Sequence, residues 1–173
     1  MSAAQPAIFS TLGILAVSQE ISGLALFLMD SAEAELVAEE SICLLAVASA
    51  RTVEAVAPEE SDLAESLMIT PFLYRDYLIG ATMIESGDLS RGEEGRQIGA
   101  RLERKTAFYA AHLLPGIFPT GAVLKNVMLM WMGRISPPKM PSGPEKRLDD
   151  MEGASKVECH LKLVAAHLRQ SRG

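Results

Sequence analysis

TAFYAAHLLPGIFPTGAVLKNVMLMWMGRI, residues 106–135, carries only two formal charges, Lys125 and Arg134, and one further titratable group, His112. Water does not hold such a segment extended, because each buried Å² of apolar surface is worth roughly 25 cal/mol. The stretch is therefore a buried centre, a partner surface or a membrane contact. Pro115, Gly116 and Pro119 divide it in two. The part up to Leu114 closes a helix opened by the capping box Ser90-Arg-Gly-Glu93. Thr120 is placed to cap the next helix, over 121–135, which Ser136-Pro137-Pro138 ends. Within it VMLMWM, residues 127–132, is apolar on every side, whereas one bundle neighbour covers only one face. Met128, Met130, Trp131 and Met132 are accordingly candidates for an interface or an apolar-ligand surface, with ordinary core packing as the alternative.

Outward from this hairpin the chain reads as helix throughout. Its 173 residues are 49% hydrophobic and 22% charged, with few aromatics, enough for one domain with its own core. Ala, Leu, Met and Glu lose little side-chain freedom in a helix, and no alternating strand pattern occurs. The expected fold is all-α, a single-domain bundle of six or seven helices with a central apolar hairpin. Residues 1–135 form the helical core, 136–144 a Pro-rich linker, and 145–173 an amphipathic helix packed on the core or on a partner.

The first helix covers about 6–29 with Glu20 as its one charge. Ser18, Gln19 and Ser22 in its middle argue against a transmembrane span and for a central bundle helix. Glu20 shares a face with Gly13, Ala16, Gly23 and Phe27, mostly small, where a backbone or ligand can approach. Asp30-Ser-Ala-Glu33 opens a second helix whose middle, SICLLAVASA at 41–50, is apolar or small all round and hence enclosed. Its early acids, Glu33, Glu35, Glu39 and Glu40, suit the helix dipole. Pro58 starts a third helix and Thr70-Pro71 a fourth. Pro144 opens the last, where Leu148, Met151, Ala154, Val157, Leu161, Val164 and Leu168 form one apolar stripe.

Charge is distributed unevenly. Residues 1–90 hold fourteen acids and two basics, Arg51 and Arg75, while residues 91–173 hold fourteen basics and eight acids. The two halves are therefore expected to dock on each other, or on a second copy, through complementary fields. The basics of the fifth helix point to different sides and lack interleaved aromatics, so no nucleic-acid partner is expected. Cys43 and Cys159 are far apart and fit free thiols in a reducing compartment. With no basic residue before Arg51 the expected location is cytoplasmic.

No catalytic or metal pattern emerges. None of the three histidines follows a glutamate by three residues, and His160 and His167 stand two helical turns apart, so neither a metal nor another cofactor is expected. Cys159 and His160 are neighbours that diverge by about 100° on a helix. Glu20 and His112, each isolated in an apolar segment, could meet as a buried acid/base pair in a dry pocket. The function expected from these residues is a non-enzymatic binding, adaptor or assembly protein acting on a protein partner or on itself. The alternatives are a peripheral membrane protein inserting the 113–123 hairpin, and an enzyme or small-ligand protein with a Glu20/His112 pocket.

Overall fold

In the computed structural model, residues 4–29, 33–76, 92–136 and 143–170 are described, and they form eight helical segments with no strand among them. These are α1 (Ala4–Leu28), α2 (Ala34–Val56), α3 (Ser61–Met68), α4 (residues 70–76), α5 (Gly92–His112), α6 (Gly121–Ile135), α7 (Pro144–Asp150) and α8 (Gly153–Gln170). The all-α class expected from composition is what the chain adopts. The Asp30 and Ser90 halves of two capping boxes, residues 77–91 and most of the linker at 137–142 lie outside the described residues.

The centre of the bundle is α2, not the 106–135 hairpin. It packs against α1, α3, α5, α6 and α8, and every residue from Glu39 to Ala50 is buried. Alanines 46, 48 and 50 with Ser49 keep its girth small, so five neighbours approach its axis closely. The remaining apolar helices are satisfied with one buried side each. In α6 the buried set is Leu124, Val127, Met128, Trp131, Met132 and Ile135, the three-four spacing of a one-sided helix. The α8 stripe foreseen from sequence faces α1 and α2, with Val157, Leu161, Val164 and Leu168 in the core.

Two local departures from the sequence reading have simple causes. The last helix is broken at Met151–Glu152, where Glu152 takes a left-handed φ of 52°. Gly153 follows at a close crossing, since a Cβ there would lie 3.0 Å from Leu148 Cδ1 and 3.4 Å from Met128 Cε. The break lets Leu148 and Met151 pack beside α6 while α8 turns to run along α1 and α2. The first helix, expected in the centre, is instead peripheral: only 28% of its apolar span Ser10–Leu28 is buried. Its core side is Ile14, Ile21 and Ala25, and Gly13 lets the His160 ring of α8 approach so closely that a Cβ would sit 2.6 Å from Cε1.

Candidate functional site

The most concentrated polar chemistry lies where α2 meets α5 and α6. Glu39 and Glu40 sit in the second turn of α2, both buried. Being adjacent on a helix they diverge by about 100°, so their closest cations differ, while Lys105 Nζ also lies 3.7 Å from Glu40 Oε1 and ties the two together. Arg101 and Lys105 of α5 donate to Glu39 at 2.9 and 2.6 Å, and Arg101 also reaches Glu35. Arg134 of α6 grips Glu40 with Nε and Nη2 at 2.8 and 2.7 Å, the parallel fork that a planar guanidinium matches to a carboxylate. Tyr109 donates its hydroxyl to the same carboxylate at 2.7 Å, and the Arg134 guanidinium lies 4.3 Å over the Phe108 ring.

Electrostatics here favour fixed charge over proton transfer. Burial pushes the Glu39 carboxyl up, but hydrogen bonds and charge from Arg101 and Lys105 outweigh it and hold it below the ordinary carboxylate value. Burial and the Glu40 charge push the Tyr109 hydroxyl far up. Desolvation raises the neighbouring Cys43 thiol to about 12, and its Sγ donates to the Leu102 carbonyl at 3.7 Å. A thiol so protonated is a weak nucleophile. The cluster is thus a locked joint between the acidic and basic halves of the chain.

A second buried pair joins α2 to α8. Ser49 Oγ and His160 Nε2 are 3.1 Å apart, the spacing of a nucleophile and its base, yet both side chains are buried and no substrate reaches them. Desolvation lowers the histidine from 6.5 to about 4. The unfolded chain therefore takes up this proton first as pH falls. Stability is full above 6.5, declines between 6.5 and about 4, and loses on the order of 3 kcal/mol from this residue. Urea titrations of His160→Gln are expected to show that acid loss reduced by about this amount; an unchanged loss would place the acid sensitivity elsewhere, with Glu39.

The residues singled out from sequence are dispersed. Met128, Trp131 and Met132 are buried in the chain's own core, so the Met/Trp surface is confined to Met130, 39% exposed. Trp131 Nε1 donates to Ser41 Oγ at 3.2 Å, and Ser22 Oγ donates to the same oxygen at 2.9 Å. Glu20 and His112 do not make a dry pair. Glu20 is exposed and bonded to Lys156 at 2.6 Å, while His112 is exposed, with Nδ1 2.7 Å from the Phe108 carbonyl. Each lies at the end or flank of its helix where water or a neighbouring partner satisfies it, which removes the need for mutual burial.

Among several concavities lined by described residues, two lie against apolar helix faces that sequence reasoning did not bring together. One, of about 260 Å³, lies at the α5–α6 turn between Leu113, Leu114, Ile117, Val123 and Met130. The other is a trough along α1, made of two adjoining cavities of about 330 and 250 Å³ that share Leu15, Gln19 and Tyr74. Its α1 side is the stripe Thr11, Leu15, Ser18, Gln19, Ser22 and Leu26, and α2 and α4 complete it. The serines read as interruptions of an apolar run were the available signal for it. Among the described residues no group of three or more His, Cys, Asp or Glu side chains converges to hold a metal ion.

No family model matches this chain. None of the curated proteins or solved structures compared with it matches either.

Proposed function

We propose that this chain is a non-enzymatic helical binding protein that docks another protein chain, a second copy included, on the outward face of α1. One observation carries the reading. Among the described residues α1 is the one helix long and apolar enough to span a bilayer, yet it lies at the surface with most of that span unburied. Phe27 is 82% exposed, and Leu12 and Leu28 stand out on the same helix. A soluble monomer rarely leaves so apolar an element uncovered. The polar clusters support a binding role over a catalytic one, because each is closed by its own partners.

Phe27→Asp tests this without touching the core. Burying a phenylalanine ring is worth on the order of 2 kcal/mol, so self-association measured by sedimentation is expected to weaken roughly thirtyfold while the melting temperature holds. A wild-type chain that is monomeric at every concentration, and that retains no partner lost in Phe27→Asp, would sink the reading.

A second reading rests on the α5–α6 turn, where Leu114, Ile117 and Val123 project into solvent beside Pro115 and Gly116. Such a turn suits shallow insertion into a lipid surface. Flotation with neutral and anionic vesicles decides it, since a chain that stays at the bottom of the gradient with both does not insert.

A further inference from the structure

Seen from solvent, α1 presents a face whose residues pair off about its middle. From residue 10 to residue 27 the exposed positions are Leu12, Ala16, Gln19, Glu20, Gly23 and Phe27. They are symmetric about the point between 19 and 20: Leu12 mirrors Phe27, Ala16 mirrors Gly23, and Gln19 mirrors Glu20. Any helical stripe has such a centre in its spacing, but here the residue classes match as well. Large apolar side chains, 60% and 82% exposed, stand at the two ends. Small residues lie inside them, and a Cβ built at Gly23 would meet nothing within 4 Å. Polar groups occupy the centre. A partner unrelated to this chain imposes no relation between the two ends of a stripe. A second copy related by a two-fold axis imposes this one, because residue i then meets j while j meets i.

The two edges of the face fit the same rotation. Glu20 lies on the α8 edge, where Lys156 donates to it at 2.6 Å. Gln19 lies on the opposite edge, in the wall toward α4. When antiparallel helices are related by a two-fold axis, both α8 edges fall on one side of the pair and both α4 edges on the other. Two Glu20 carboxylates and two Lys156 ammoniums then alternate round the axis, and each carboxylate gains a second cation. On the other side the two Gln19 amides meet, and an amide, which both donates and accepts, is its own complement. Leu12 packs on Phe27 of the second copy, while Ala16 opposite Gly23 lets the helix axes approach closely. A bilayer covering this face would instead draw the Glu20–Lys156 pair into its apolar interior.

We propose that the chain forms a two-fold dimer through antiparallel α1 helices, centred between Gln19 and Glu20. This rests on the docking role of α1 and names its occupant. From Leu12 to Phe27 the helix rises about 22 Å. One helix pair of that length is small for a stable interface, so a micromolar dimer is expected.

The register is read by disulfide cross-linking of the full chain, with the exposed Cys159 replaced by serine. Gln19→Cys lies beside the axis and should cross-link to its own copy. Ala16→Cys alone should not, because the two copies of position 16 stand about 10 Å apart along the pair, beyond disulfide reach. Gly23→Cys alone should not either, for the same reason, whereas an equal mixture of these two variants should cross-link. Sedimentation tests the charges. Glu20→Lys sets four cations round the axis and should weaken the dimer at least about tenfold, and adding Lys156→Glu should restore it to within about threefold. Ala16→Cys cross-linking to itself overturns the proposal, since that is a parallel pair, and so does an undiminished Glu20→Lys dimer. A chain that sediments as a monomer at every concentration also overturns it. The docking reading then stands or falls separately, on whether a bound partner is lost in Phe27→Asp.

Discussion

Replacing Glu40 with alanine is expected to remove about 3 kcal/mol of stability, close to the largest loss from a single side chain in this fold. The carboxylate is buried and holds Arg134 by two hydrogen bonds and Tyr109 by one. Arg134 is partly exposed and rehydrates at modest cost. The Tyr109 hydroxyl is buried, and with it a small cavity would be left unfilled. Breaking a buried pair by removing one partner typically costs about 3–5 kcal/mol, and the water available to Arg134 sets the lower end here. Urea unfolding at pH 7 measures it, with the exposed Glu65→Ala as a control expected within about 0.5 kcal/mol of wild type. A loss under about 1 kcal/mol for Glu40→Ala would mean that the Glu40 half of the α2–α5–α6 joint contributes little to folding. A double cycle with Arg134→Met isolates the pair from the rest of the cluster.

The second large effect concerns Trp131. Trp131→Ala is expected to cost about 3–5 kcal/mol, because the indole is fully buried and its removal leaves a cavity against α2. It also leaves Ser41 with one donor fewer. The loss should appear as a lower unfolding midpoint in denaturant. A variant that keeps its midpoint but fails to associate would instead restore Trp131 to an interface.

These two residues show how much was legible. The all-α class, the enclosed middle of α2 and the stripe of α8 follow from local pattern, and the chain carries each of them out. The site readings did not survive equally, and the reason is physical. Hydropathy says that VMLMWM leaves water but not which surface covers it, and α6 turns Met128, Trp131 and Met132 inward while Met130 stays out. Periodicity cannot rank apolar helices by depth either. Depth was decided by girth, and the alanines of α2 won the centre over the bulkier α1. Glu39 and Glu40 read as ordinary early acids of a helix because their partners lie 62 to 94 positions further on. Nothing local announces an ion pair of that span. The trough was hidden for the same reason: Leu15 and Thr70 meet only once α4 is laid beside α1.

The joint at Glu39 and Glu40 also imposes an order in time. A chain made from its N-terminus presents fourteen acids and two basics in its first ninety residues. Without α5 and α6, α2 cannot bury its two carboxylates without an unpaired charge. Arg101 and Lys105 arrive next, and Arg134, which closes Glu40, arrives last of the three. The central helix of the finished bundle is therefore among the last to be sealed. A chain lacking α5 and α6 is therefore expected to leave Glu39 and Glu40 without their cations and α2 unsealed.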